Sequence, residues 1–251
     1  MTTKPAILKH LSSVTTSGRK TWGVYEDWLD IVHATLRMLP QHALSVATIG
    51  KPADDPPDIK ATWERLNQEY RAHDWQHLQA ATLALFDVAE QRALSWGNVT
   101  GTNVGGESWD VLGDIYQEIN ATSSHAGQYF TPWHLACVAA QTTVNETMES
   151  LRERNEPLRI SDPACGSGVM LLAAAACLPR EAIRRGLVEF WGNDIDATCV
   201  KMAQVNTMLY GLNGWGRAWR DAGIVLEAMA TERDPGLVAD IELPTGQLSL
   251  L

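Results

Sequence analysis

The sequence is short of cysteine and of basic charge, and it has no long apolar run. Its 251 residues include four cysteines, Cys137, Cys165, Cys177 and Cys199, none at a paired spacing. That argues against a disulfide framework or a Cys-x-x-Cys metal site and fits a reduced, cytoplasmic setting. Lys and Arg number 20 against 30 Asp and Glu, a formal net charge of −10. A protein that grips a DNA duplex unaided presents a basic face to the phosphates, and here only Arg180, Arg184 and Arg185 gather, on one expected helix. No stretch reaches the roughly 20 apolar residues of a membrane span, and Met1 to Ser13 lack the apolar run of a signal peptide. No internal repeat is visible. The 45% hydrophobic content suffices for one good core, or for one core plus a smaller helical satellite.

The most informative stretch is Leu158-Arg159-Ile160-Ser161-Asp162-Pro163-Ala164-Cys165-Gly166-Ser167-Gly168-Val169-Met170. A short apolar strand, a tight Gly-Ser-Gly turn and a small-residue helix follow one another without a spacer, the form of a nucleotide-type cofactor loop. Gly166 and Gly168 can take backbone angles closed to other residues, and the helix from Val169 to Cys177 turns its N-terminus to the ligand. A second apolar run, Leu187 to Asn193, ends in Asp194, placed to accept hydrogen bonds from a ribose diol. The spacing is not the Gly-x-Gly-x-x-Gly of a dinucleotide fold.

Residues 1 to about 20 read as a polar lead-in. Trp22, Tyr25, Trp28, Leu29, Val32 and Leu36 recur at three and four, which predicts an amphipathic helix stopped by Pro40. Residues 49–58 form a Pro- and Asp-rich loop, and Ile59 to Val88 carry one broken helix or two consecutive ones. A Gly-, Asn- and Thr-rich link follows at 97–106. Ser108 or Asp110 can cap the next helix, and Thr131-Pro132 reads as an N-cap and first residue of a helix running to about Ser150. From there strand and helix alternate at 158–161, 168–177, 187–193, 197–210, 216–220, 224–232 and 239–243, predicting a parallel α/β sheet.

Three segments carry a resemblance. Ala126-Gly127-Gln128-Tyr129-Phe130-Thr131-Pro132, Asp162-Pro163-Ala164-Cys165-Gly166-Ser167-Gly168 and Gly192-Asn193-Asp194-Ile195-Asp196 resemble successive motifs of adenine-N6 DNA methyltransferases, above all the modification subunit of type I restriction systems. The resemblance covers about residues 108 to 243. The apolar periodicity gives a helical N-terminal domain at 1–106, and the resemblance implies a partial Rossmann-like domain that binds S-adenosylmethionine (SAM) at 107–246, followed by a tail at 247–251. By the same resemblance, Gln128, Tyr129, Phe130, Thr131, Pro132 and Trp133 close over the methionine end, with the Thr131 hydroxyl near its carboxylate. Asp162 meets the ammonium, while Ala164, Gly166, Ser167, Gly168 and Val169 form the loop and helix start. Asp194 holds the ribose, Ile195 lies against the adenine, and Asp221 is a candidate for its amino group.

One family feature is missing. Adenine-N6 enzymes follow their fourth strand with Asn/Asp-Pro-Pro-aromatic, which holds the target amino group and stacks on the flipped base. Here Val238 to Leu243 resembles that strand, but Pro244-Thr245-Gly246 follows it. Asp55-Pro56-Pro57-Asp58 lacks the aromatic and a surrounding sheet, and reads as a loop before a helix. Two functions stay open: a DNA methyltransferase, alone or with a partner chain that brings the DNA, and a non-catalytic relative acting as a DNA-associated adaptor. For the second, Gln247-Leu248-Ser249-Leu250-Leu251 resembles the peptide by which bacterial DNA-processing proteins dock on the replication sliding clamp. His73 and His77, four apart on a helix, have the spacing of two metal ligands but no third partner, and a solvated face is the preferred reading.

Overall fold

The computed structural model describes residues 4–15, 18–94, 96, 107–121 and 129–215. The described residues form two compact units, one over 9–83 and the other over 4–8 with 84–215. The first is helical throughout its described part. The segment expected as a polar lead-in is instead a helix, α1 (Lys4–Ser12), because Ile7 and Leu11 recur at four and are both buried. The next, α2 (Thr21–Ile49), does not stop at Pro40 but runs through it. A proline inside a helix forfeits one backbone bond, which costs about 3 kcal/mol. The apolar stripe outlasts it, with Ala43 still buried beyond the proline, and the end comes at Gly50, left-handed at φ 75°, whose N–H donates to Val46 O at 2.9 Å.

Two separate helices follow, α3 (Pro57–Glu69), with a proline as its first residue, and α4 (Ala72–Leu94). The aromatic and aliphatic positions foreseen for them, Ile59, Trp63, Leu66, Tyr70, Leu78, Ala81, Leu85 and Val88, are all buried. Inside this unit the buried carboxylate of Asp27 accepts hydrogen bonds from Tyr70 Oη at 2.6 Å, from Arg65 at 2.6 Å and from Arg19. The Trp28 indole N–H donates to Thr82 Oγ1 at 3.0 Å. His77 lies against both His10 and His73, and no group of three His, Cys, Asp or Glu among the described residues could hold a metal. No helix among them is long and apolar enough to cross a membrane.

The second unit carries α5 (Val111–Ala121), α6 (Trp133–Thr143), α7 (Met148–Arg152), β1 (Leu158–Asp162), α8 (Val169–Cys177), α9 (Arg180–Arg184), β2 (Val188–Gly192) and α10 (Ala197–Leu209), then a 3-10 turn at Leu212–Gly214. The single helix expected from Pro132 to Ser150 is two. Val144 is extended, and Thr147 opens α7 with a reciprocal capping box to Ser150. The described sheet consists of β1 and β2, paired in parallel from Leu158 opposite Val188 to Asp162 opposite Gly192. One sheet face, Leu158, Ile160, Val188 and Phe190, joins the core made by α8, α9 and α10, and the other carries Arg159, Ser161, Glu189 and Trp191. Beneath α6 the core is built of small residues, with Ala136, Cys137 and Ala140 against Val169 and Ala173. Trp109 sits in an aromatic column, parallel to Tyr210 at 4.9 Å and to Trp133 at 5.9 Å. The strands and helices expected beyond residue 215, including 216–220, 224–232 and 239–243, lie outside the described residues.

Candidate cofactor site

The site is built where the two strands end. Pro163 follows β1 and cannot donate to a ladder, so the chain must turn. Asp162 Oδ1 accepts the Ala164 N–H at 3.1 Å and tightens that turn. The strand ends stay tied beyond the sheet: Asn193 N–H donates to Asp162 O at 3.0 Å and Cys165 N–H to Asn193 O at 2.8 Å. Gly168 N–H then closes the loop onto Cys165 O at 2.7 Å, and α8 begins at Val169.

Both loop glycines are required by geometry. Gly166 has φ +53° and Gly168 φ +90°, in the left-handed region. A Cβ on Gly166 would stand 2.9 Å from the Phe130 ring, and one on Gly168 would stand 3.3 Å from the Ala203 backbone in α10. Phe130 therefore lies directly on the loop, and the Tyr116 ring of α5 supports it from 5.0 Å. The structure thus brings together two segments, 129–132 and 162–168, that the sequence holds some thirty residues apart. Gly166→Ala should displace Phe130 and strain the loop, lowering stability by about 1–3 kcal/mol in a urea titration.

Asp194 completes the arrangement. Its Oδ2 accepts the Gly166 N–H at 2.8 Å and its Oδ1 accepts the Asp196 N–H at 2.9 Å. A carboxylate offers about four lone-pair positions, so two remain for an incoming pair of hydroxyls. Beside it Ile195 is fully exposed, and Tyr129, next to Phe130, is 89% exposed. Burial, with the charges of Asp162 and Asp194 adding to it, pushes the Cys165 thiol up to about 11.

Three sequence-selected residues are placed differently from the rest. Ser167 is buried and its hydroxyl donates inward to Asp110. Trp133 directs its ring to Trp109. The helix after Thr131-Pro132 starts one residue later than the sequence suggests, with Pro132 as its N-cap and Thr131 exposed. Gln128 and Asp221 lie outside the described residues, as does the tail Gln247 to Leu251. Tyr116 and Asn206 carry no motif in the sequence, and Asp110 stands out there only as a helix cap. Asn206 had one visible signal, a polar residue in a helix face otherwise made of Cys199, Met202, Ala203 and Val205.

Asp110 also sets a pH dependence. Burial pushes its carboxyl up to about 6, against the opposing pull of the Ser167 hydroxyl and the Gly113 N–H. Between the unfolded aspartate range near 4 and about 6 the folded chain holds a proton that the unfolded chain has lost. Asp110's contribution to stability is therefore fully present below that window and is lost as pH rises through it. The expected loss is on the order of 2–3 kcal/mol between pH 4 and 7. Urea titrations across this range should show that slope in the wild type and not in Asp110→Asn.

A parallel βαβ unit with a glycine loop between its first strand and helix, and an acidic residue at the end of the second strand, has the form of a nucleotide-type cofactor site. Residues 107–223 match the family model of N-6 DNA Methylase. Over these residues the chain is similar to that family. It is also similar to the crystal structure of the type I restriction-modification system methyltransferase subunit from Streptococcus thermophilus. The likeness is 14% in sequence, with a TM-score of 0.35, over 84% of this chain and 55% of that one. The chain thus spans about half the length of that subunit. No curated protein matches it.

Proposed function

We propose that the second unit is a Rossmann-like, SAM-binding methyltransferase domain that acts on adenine N6 in DNA. The observation that carries this reading is the Gly166–Asp194 bond: it sets a carboxylate with two spare lone pairs against a loop whose Gly166 and Gly168 carry no side chain of their own. SAM fits these residues. Asp194 would accept both ribose hydroxyls, Ile195 would cover one adenine face, and the unpaired Asp162 oxygen would meet the ammonium of the methionine part. Phe130 would wall the loop at Gly166. When bound, SAM supplies an electrophilic methyl on a sulfonium, open to in-line attack by the adenine amino group.

The grip on DNA and the clamp on the target amino group come from outside these 251 residues. The net charge of −10 and the lack of an Asn/Asp-Pro-Pro-aromatic segment both favour this. Tritiated methyl transfer to mixed-sequence DNA tests it. The isolated chain should bind SAM yet transfer nothing above background; transfer by the chain alone would contradict the need for a partner.

A second reading rests on the tail, which the methyltransferase reading leaves unused. In it the protein is a non-catalytic adaptor whose Gln247, Leu248, Ser249, Leu250 and Leu251 dock on the sliding clamp, the glutamine anchoring polar contacts and the leucines filling an apolar pocket. Under it, the full chain should bind purified clamp in a polarisation assay and lose binding on deletion of residues 247–251. Equal binding by the deletion variant would remove this reading.

A further inference from the structure

Beneath the glycine loop lies a polar knot, made by Asp110 from the start of α5, Ser167 from the loop and Asn206 from α10. The three residues are buried, at 3%, 0% and 1% exposure. Asp110 Oδ2 accepts the Ser167 hydroxyl. Its Oδ1 accepts the Gly113 N–H at 2.9 Å and the Asn206 side-chain amide at 3.1 Å. The same Asn206 nitrogen, which has two hydrogens, donates also to the Ser167 main-chain carbonyl at 2.8 Å. Ser167, the residue between the two left-handed glycines, is thereby held by both its side chain and its backbone.

The packing leaves no slack around the knot. A Cβ on Gly113 would stand 2.2 Å from Asp110 Oδ2 and 2.6 Å from Ser167 Oγ, so only glycine admits the carboxylate there. A buried carboxylate is a poor choice for stability alone, because an apolar group of the same shape would avoid the desolvation that this one suffers. Its return is geometric. The knot fixes the middle of a loop whose two flanking glycines would otherwise leave the backbone many conformations.

We propose that Asp110 is a positioning residue for the glycine loop: acting through Ser167 and Asn206, it fixes the Gly166–Gly168 backbone on which a nucleotide-type cofactor rests. The ligand part of this statement rests on the SAM reading, whereas the loop part stands on the hydrogen bonds alone. Removing the charge in Asp110→Asn turns a shared acceptor into a partial donor facing Ser167 or Asn206. Ser167→Ala removes one partner and leaves Asp110 in place. In a preorganised loop both losses appear as mobility at the loop and weaker binding by the folded protein.

The test is backbone hydrogen exchange over residues 163–172 in the full chain, paired with calorimetric titration by SAM. Asp110→Asn and Ser167→Ala should each speed loop exchange at least about tenfold, with exchange in α2 unchanged. Each should weaken SAM binding by about tenfold, and the double variant should lose little more than either alone, because both act on one contact. Unchanged loop exchange in both variants would overturn the proposal, as would fast exchange with wild-type SAM affinity. Should Asp110→Asn fail to fold, Ser167→Ala decides by the same criteria. Fast loop exchange in the variants, with no SAM binding by the wild type, supports the positioning role and removes the SAM reading.

Discussion

Replacing Asp194 with alanine should weaken SAM binding by at least about a hundredfold and leave the chain folded. Hydrogen bonds to a charged group contribute roughly 1.5–3 kcal/mol each, and two to a ribose diol give about 3 kcal/mol at the least. The structure adds an indirect effect. Asp194 also receives the N–H groups of Gly166 and Asp196. Its loss would free the loop as well as the ribose, so the decrease should exceed that from two hydroxyl contacts alone. The site is partly open to water, which can serve those two amides, and the stability cost should stay near 1–2 kcal/mol. Calorimetry for affinity and urea titration for stability separate the two effects. Wild-type affinity in a folded Asp194→Ala chain would remove Asp194 from the site.

The second large effect belongs to the helical unit. Asp27→Ala should lower stability by about 3 kcal/mol at neutral pH, a sizeable share of the 5–15 kcal/mol of an ordinary domain. Asp27 is 4% exposed and gathers Arg19 from before α2 and Arg65 and Tyr70 from α3 and its C-cap, while Arg65 also reaches Asp30 at 2.7 Å. Without the carboxylate the buried Tyr70 hydroxyl loses its acceptor, which dominates the cost, since the two arginines are partly exposed and can be hydrated. Burial alone would raise the Asp27 carboxyl, but Tyr70, Arg65 and Arg19 together outweigh it and hold it below the ordinary aspartate range. Its contribution to stability is thus fully present above that range and is lost as pH falls through it. The difference between wild type and Asp27→Ala should therefore shrink below about pH 4, opposite in sign to the behaviour set by Asp110. A difference that stayed constant from pH 7 to pH 3 would mean that Asp27 acts by packing and not by charge.

Much of this was legible before the fold. The strand, Gly-Ser-Gly turn and small-residue helix at 158–177 are a local pattern, and local patterns need no tertiary information. The same holds for the apolar stripes of α2, α3 and α4. What escaped was decided by packing. Pro40 looked like a stop because its missing N–H is a local fact, whereas the buried Ala43 that carries α2 past it depends on neighbouring helices. The nine residues of α1 have few apolar positions, and only burial of Ile7 and Leu11 makes them a helix. At the site, Gly166, Gly168 and Asp194 were readable from residue type and order. Asp110 and Asn206, 96 positions apart in the chain, could not be joined by any local signal. Phe130 on Gly166 was foreseeable as an aromatic near the loop, though not as the ring that excludes a side chain there.

Uptake of SAM by this chain is the central expectation. Calorimetric titration of the purified, folded chain should give one molecule bound per chain, with a matching rise in melting temperature as SAM is added in excess. No heat of binding and no thermal shift in a chain that unfolds cooperatively would contradict it, leaving the glycine loop as architecture between strand and helix.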